Sequence, residues 1–274
     1  LLQRVVMKRC IYGVDLNPMA VELAKVSLWL HSFTIGAPLS FLDHHLRCGN
    51  SLIGAMAREA HEQLSSELPL FGGPFAGLLR AAEIMRGISL LSDATFAEVE
   101  ESERLFRQFD EAAKPYKQLL DVYVARYFGV RHADEFLRLY GADAIRAGPD
   151  TVGEPYATVI REARRLYEEK RFFHWDLEFP EVFIDLEQAT WKENPGFDAV
   201  IGNPPYGFIA DKETQTILSF QYAAISSYDT YIAFLERGIH VLKRGGILSY
   251  ITPTSWQTGL AHRDFREYTL KTCH

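Results

Sequence analysis

Cysteine is scarce in this sequence, long apolar runs are missing, and positive charge is not in excess. The three cysteines, Cys10, Cys48 and Cys273, are an odd number spaced far apart. With no CxxC pair and no matching histidine spacing, they make neither a disulfide framework nor a zinc site, and they read as reduced thiols of a cytoplasmic protein. No stretch approaches the ~18 consecutive apolar residues of a membrane helix, and Leu1-Leu2-Gln3-Arg4 has no secretory layout, so no membrane partner is expected. Lysine and arginine number 29 against 36 aspartate and glutamate, a formal charge of −7. That excludes a basic protein that coats DNA through charge alone. There is no internal repeat and no low-complexity tract.

What is present is a globular composition, 47% hydrophobic and 24% charged over 274 residues, long enough to bury a sizeable core without staples. The chain opens without methionine inside a helix-like stretch and stops at Thr272-Cys273-His274 with no closing feature. A fragment of a longer protein is the expectation.

Residues 10–14 form a short run of β-formers ended by Asp15. Asn17 suits an N-cap and Pro18 the first helical position, and the helix is predicted to reach about His31. Its apolar stripe, Val21, Ala24 and Leu28 with Val26 and Leu30, suits a helix that covers a sheet. A second strand-to-helix element ends near Cys48-Gly49-Asn50-Ser51. The following stretch, about 53–197, is mostly helical, with helices predicted over 55–64, 75–91, 95–128 and 155–173. Thr95-Phe96-Ala97-Glu98 fits a capping box. Phe96, Val99, Phe106, Phe109, Ala113, Tyr116, Leu120 and Tyr127 keep helical spacing, and Pro115 is expected to kink or split that run. Beyond it, 199–202 reads as a buried strand. Asn203-Pro204-Pro205-Tyr206 must be a turn, because two prolines cannot donate to a ladder. A helix over 229–242, stopped by Gly245-Gly246, and a strand over 247–252 follow. Such alternation predicts an α/β fold with a parallel sheet whose ligands sit at the carboxyl ends of strands; Asp15, Asn50, Asn203 and Thr252 fall at such ends.

An acid at a strand end can accept hydrogen bonds from both hydroxyls of a ribose. Asp15 is placed for that, and equally well for a simple charge at the N-terminus of the next helix. The Asn203–Tyr206 turn is harder to read as packing. The Asn203 side chain and the Pro204 carbonyl can present two acceptors to one amino group, and Tyr206 offers a face on which a flipped-out base stacks. A proline-stiffened surface turn is the plain alternative for a lone Pro-Pro.

These segments together resemble the S-adenosylmethionine-dependent adenine-N6 DNA methyltransferases. The resemblance rests on Ile11-Tyr12-Gly13-Val14-Asp15-Leu16-Asn17-Pro18, Cys48-Gly49-Asn50-Ser51-Leu52, Phe197 through Tyr206, and Gly245-Gly246-Ile247 through Pro253-Thr254-Ser255-Trp256. With Phe173-His174-Trp175-Asp176 and Phe179-Pro180-Glu181-Val182-Phe183, the chain looks like the large methylases of type II restriction-modification and phage-defence systems. The resemblance implies a Rossmann-like methyltransferase sheet, here partial, with a large helical insertion. It divides the chain into a cofactor part (1–52), the insertion (53–196) and a catalytic-loop part (197–274). It makes Asp15 the cofactor-ribose acid, with Leu16 beside it, and puts Asn50, with Ser51, at the position that meets the cofactor's adenine. Asn203, Pro204, Pro205 and Tyr206 become the catalytic loop, double-stranded DNA with a flipped adenine the partner, and no metal is called for.

The family's glycine-rich cofactor loop has no counterpart among the 14 residues before Asp15. Its later base-packing aromatic and target-recognition domain would lie past His274. The chain alone is therefore expected to be weak or inactive, completed by a longer parent chain or a partner. Two other readings use the same residues. Glutamine-amide protein methyltransferases also carry Asn-Pro-Pro-Tyr but are compact, without such an insertion. A catalytically idle DNA-specificity or subunit-docking module fits the missing glycine loop.

Weaker signals get plain readings. Arg161, Arg164, Arg165, Lys170 and Arg171 are diluted by Glu162, Glu168 and Glu169 and read as a solvated helix face rather than a DNA track. His44-His45 reads as structural or exposed. His174-Trp175-Asp176 is expected to steady the segment before the catalytic strand, and Trp256 to pack rather than to touch a base.

Overall fold

Asn17 caps the first long helix as its sequence position requires: its side-chain oxygen accepts the Met19 N–H at 3.0 Å, and Pro18 occupies the first turn. In the computed structural model, which describes residues 2–67, 77–225 and 227–273, the chain divides into two units. One comprises Leu1–Arg126 with Val130–Lys192, the other Tyr127–Gly129 with Glu193–His274.

The first unit runs α1 (Leu2–Cys10), β1 (Gly13–Asp15), α2 (Pro18–His31), β2 (Leu46–Cys48), α3 (Ala57–Glu67), α4 (Leu78–Leu90), α5 (Phe96–Ala125), α6 (Ala133–Leu139), α7 (Ala142–Ala147), α8 (Tyr156–Lys170), α9 (Trp175–Glu178), α10 (Pro180–Phe183), β3 (Ile184–Asp185) and β4 (Thr190–Trp191). Cys10 therefore ends a helix, and the strand expected from residue 10 starts only at Gly13. Strands β1 and β2 pair in parallel, Asp15 opposite Cys48. Only part of the α2 stripe works as expected: Val21, Ala24 and Leu28 pack with Met7, Leu42 and Leu46, whereas Val26 and Leu30 are exposed.

The helical stretch centres on α5. Thr95 caps it, its hydroxyl accepting the Glu98 N–H at 3.3 Å. The reciprocal half of the capping box is absent, because Glu98 turns to the Ser92 and Ala94 N–H groups and the Ser92 hydroxyl. Pro115 does not split α5, which continues through it to Ala125. One proline removes a single backbone bond at a cost of ~3 kcal/mol in a helix interior, and here Pro115 is buried among a dense row of core residues. Phe106, Phe109 and Ala113 pack with Ala82, Met85 and Ile88 of α4. Phe75, predicted to open that helix, lies outside the described residues.

The second unit contains β5 (Phe197–Gly202), α11 (Lys212–Gln221), α12 (Thr230–Val241), β6 (Leu242–Tyr250), α13 (Ser255–Thr258) and α14 (Arg263–Thr272). Helix α12 ends at Val241, within a residue of the expected 242, but β6 starts at once, so Gly245-Gly246 is not what stops the helix. The Gly-Gly pair lies inside β6, in an irregularity where Phe197 pairs with Leu242 but Ala199 pairs with Ile247. Gly245 adopts φ +84 there, a conformation that glycine takes without a Cβ penalty. The expectation of a buried strand at 199–202 is corrected: Ile201 is 80% exposed. Parallel strands are stable when both faces are covered, and β5 has one neighbour, β6, in a two-stranded sheet. Overall the chain is a mixed α/β protein, dominated by helix, with three two-stranded sheets among the described residues, two parallel and one antiparallel.

Candidate active site

Asp15 stands at the carboxyl end of β1 with its side chain exposed. Its Oδ1 accepts the Asn17 N–H at 2.7 Å, so part of its work is the local turn that starts α2. A carboxylate has about four lone-pair sites, which leaves acceptor capacity for a diol. Asn50 follows β2 at the same edge. Its Oδ1 accepts the Leu52 N–H at 3.2 Å, and its own N–H donates to the Arg171 carbonyl at 2.7 Å. Leu16 is exposed, and its carbonyl accepts from the Arg171 guanidinium at 2.8 Å. Arg171, assigned in the sequence to a solvated helix face, is thus a tie across this edge. Two other basic residues of the patch behave as expected: Arg161 pairs with Glu154 and Arg165 with Glu162 and Glu169, all at the surface.

Phe173-His174-Trp175-Asp176 holds the segment after Asn50, whereas the expectation from sequence is that His174-Trp175-Asp176 steadies the segment before the strand at 199–202. The Phe173 N–H donates to the Ile53 carbonyl at 2.8 Å, and the Trp175 indole donates to the Ser51 carbonyl at 3.1 Å. His174 Nδ1 accepts the Ala55 N–H at 3.1 Å. The Asp176 carboxylate accepts the Ala57 and Arg58 N–H groups at 2.9 and 3.0 Å. That is an N-cap for α3 supplied from far along the chain, and it explains why no local capping residue announced where the helix begins. Burial pushes the Asp176 carboxyl up to about 6 although two N–H groups favour its charge. At Gly54 a Cβ would lie 1.8 Å from the Phe173 carbonyl oxygen, so only glycine admits this backbone contact.

Buried charges complete the brace. Arg47 on β2 bonds Glu178 through Nε at 2.7 Å, and Lys117 of α5 meets the other Glu178 oxygen at 2.9 Å. Burial alone would raise the Glu178 carboxyl, but Arg47 and Lys117 outweigh it and hold it at about 2. His44 and His45 are both buried. His44 lies flat on Phe41 and is pushed well below the usual imidazole range, mainly by burial and also by His45, Lys8 and Arg47. The pair is structural.

In the second unit, Asn203-Pro204-Pro205-Tyr206 leaves β5 as irregular chain, with Asn203, Pro205 and Tyr206 exposed and Pro204 buried. The Tyr206 hydroxyl lies 3.1 Å from Asn203 Oδ1 and 3.0 Å from the Ile251 carbonyl, so its single proton faces two acceptors. The Ile251 N–H donates to the Gly202 carbonyl at 3.1 Å, fixing the loop to the end of β6. Tyr206 presents its edge to Tyr231 at 6.3 Å between ring centres, while 53% of the residue remains exposed. Trp256 packs edge-on against Phe265 at 5.6 Å, as expected of a packing residue. Asp15, Leu16, Asn50 and Ser51 fall in the first unit, and Asn203, Pro204, Pro205 and Tyr206 in the second.

Two parallel strand pairs carrying polar residues at their carboxyl ends agree with what comparison with known proteins finds. The family described as Eco57I restriction-modification methylase matches residues 9–274. The chain belongs to this family. A protein of Methanocaldococcus jannaschii named "Putative type II restriction enzyme and methyltransferase" is 24% identical over 94% of the chain, which spans 23% of that relative. The type II methyltransferase M.PstI of Providencia stuartii is 39% identical over 29% of the chain and 16% of its own length. The type II restriction enzyme and methyltransferase RM.Eco57I of Escherichia coli is 32% identical over 27% of the chain and 8% of its own length. The chain thus spans about a quarter or less of these relatives. No solved structure matches. No helix among the described residues is long and apolar enough to cross a membrane.

Proposed function

We propose that the chain carries the catalytic loop and part of the cofactor site of an S-adenosylmethionine-dependent DNA adenine-N6 methyltransferase within a restriction-modification or defence enzyme. The reading takes the fold as Rossmann-like, with residues 53–196 inserted between its cofactor and catalytic portions. The observation that carries it is the Asn203–Tyr206 loop: an exposed carboxamide and an exposed aromatic ring, tied together by one hydroxyl at the carboxyl end of a parallel strand.

The residues present suit the cofactor. Asp15 would accept from its ribose hydroxyls, and Asn50 Oδ1, which already accepts one N–H, keeps a second lone pair for an adenine amino group. Leu16 and Ser51 would flank these contacts. When bound, S-adenosylmethionine supplies an electrophilic methyl group on a sulfonium. The target nitrogen is a poor nucleophile because its lone pair is delocalised into the adenine ring. Acceptance of its two N–H bonds by Asn203 Oδ1 and the Pro204 carbonyl would localise that pair and favour the positive charge that develops. Pro205 stiffens the loop through its fixed φ. Tyr206 would offset the cost of flipping the base by stacking, worth about 1 to 3 kcal/mol.

The test uses the full-length protein. Asn203→Ala is expected to abolish methyl transfer to DNA adenine while calorimetry shows S-adenosylmethionine binding unchanged. Retained turnover removes the role given to Asn203. A wild-type protein that binds the cofactor and DNA without transferring methyl supports an idle docking module instead.

A further inference from the structure

The long helical stretch has no task in the chemistry above, yet its central helix turns a row of three charged residues inward, from half-exposed Asp110 through Lys117 to buried Asp121. Asp110, Lys117 and Asp121 are spaced seven and four apart, which puts them on one face of α5. Lys117 reaches Asp110 and Glu178, both at 2.9 Å, and Glu178 in turn holds Arg47 of β2. Asp121 lies 3.0 Å from His174 Nε2, both residues being buried.

The histidine tautomer follows from its partners. Nδ1 accepts the Ala55 N–H and is therefore unprotonated, so the ring proton sits on Nε2 and is donated to Asp121. One carboxylate on α5 thereby fixes the ring that holds the Ala55 backbone. On either side, Trp175 holds Ser51 and Asp176 holds Ala57 and Arg58. The segment after Asn50 hangs on three consecutive side chains, with the Phe173 N–H beside them, and α5 anchors the first of the three.

We propose that this face of α5 is a positioning device for the cofactor segment, with Asp121 acting through His174 on the backbone that follows Asn50. The inference rests on the cofactor role given to Asn50. It assigns the inserted helices a task in cofactor affinity, by contacts to a binding segment, and none in bond making.

Methylation kinetics of the full-length protein, paired with hydrogen exchange, tests it. Asp121→Ala is expected to raise KM for S-adenosylmethionine about tenfold, the usual cost of removing a supporting contact, with kcat unchanged. Asp121→Asn, whose amide oxygen still accepts the Nε2 proton, should restore the wild-type KM. An unchanged KM in Asp121→Ala, or an Asn variant no better than Ala, overturns the proposal. Should Asp121→Ala fail to fold, the amides of Ala55, Ala57 and Arg58 decide: they should exchange slowly in the wild type and rapidly in His174→Gln, and equal rates overturn it. Exchange needs no turnover, so a protein without methyltransferase activity refutes the functional reading while leaving this result to stand or fall separately.

Discussion

The edge proposed to hold the cofactor and the loop proposed to be catalytic are built in opposite ways. Around Asn50 the contacts are buried or part-buried and long-range: Asp176, His174, Trp175 and Glu178 come from over a hundred residues downstream to hold backbone groups and Arg47. Around Asn203 the contacts are exposed, and a single tyrosine hydroxyl links the loop to its own asparagine and to the end of β6. A segment held by buried polar groups is rigid but intolerant, since each lost partner leaves a desolvated group unpaired. A loop whose ends are held by backbone bonds and whose side chains share one exposed hydroxyl tolerates change in that tether and leaves the Asn203 and Tyr206 side chains exposed.

Substitutions at the two regions should therefore differ in kind. The largest effect is expected at Gly54. Gly54→Ala places a methyl group on the Phe173 carbonyl, and should lower stability by about 3 kcal/mol or more, as overpacking against immobile backbone does, read as a fall in the denaturation midpoint. Next is the response to acid. Glu178 is held at about 2, below its ordinary 4.5, so its contribution to stability is full above pH 4.5 and disappears as pH falls toward 2. Asp176, raised to about 6 from 3.8, works in the other direction: its contribution is full below pH 3.8 and is lost as pH rises through 6. Midpoints measured against pH should lose the acid fall in Glu178→Gln and lose the change between pH 4 and 6 in Asp176→Asn. A smaller effect is expected in the loop. Tyr206→Phe keeps the stacking face and loses the tether, so turnover should fall several-fold while stability falls by no more than about 1 kcal/mol, the worth of one neutral hydrogen bond. Tyr206→Ala should be clearly worse, and equal rates for the two would show that stacking does not matter. Least of all, Arg161→Ala with Arg165→Ala should leave both stability and DNA affinity unchanged within error, because surface pairs on a helix contribute little.

Local chemistry was legible in the sequence and distant chemistry was not. Asn17 and Thr95 cap the helices they precede because capping is decided within three residues. The Asn203–Tyr206 turn and the acid after β1 were visible for the same reason. The start of α3, the task of Phe173-His174-Trp175-Asp176 and the tie from Arg171 to Leu16 were not, since their partners lie more than a hundred positions away. One signal did exist: Asp110, Lys117 and Asp121 share a helix face, and charge repeated along a largely buried helix asks for partners. The sequence places the start of β6 at 247 rather than 242 because Gly245-Gly246 resembles a break between helix and strand, whereas here it forms an irregularity within the strand.

The central claim is that Asn203 and the Pro204 carbonyl serve an exocyclic amino nitrogen of adenine. Nucleoside mass spectrometry of DNA methylated by the full-length protein tests it most directly. The account predicts N6-methyladenine as the product, absent with Asn203→Ala; a methyl group on carbon 5 of cytosine, or N6-methyladenine undiminished in that variant, would contradict it.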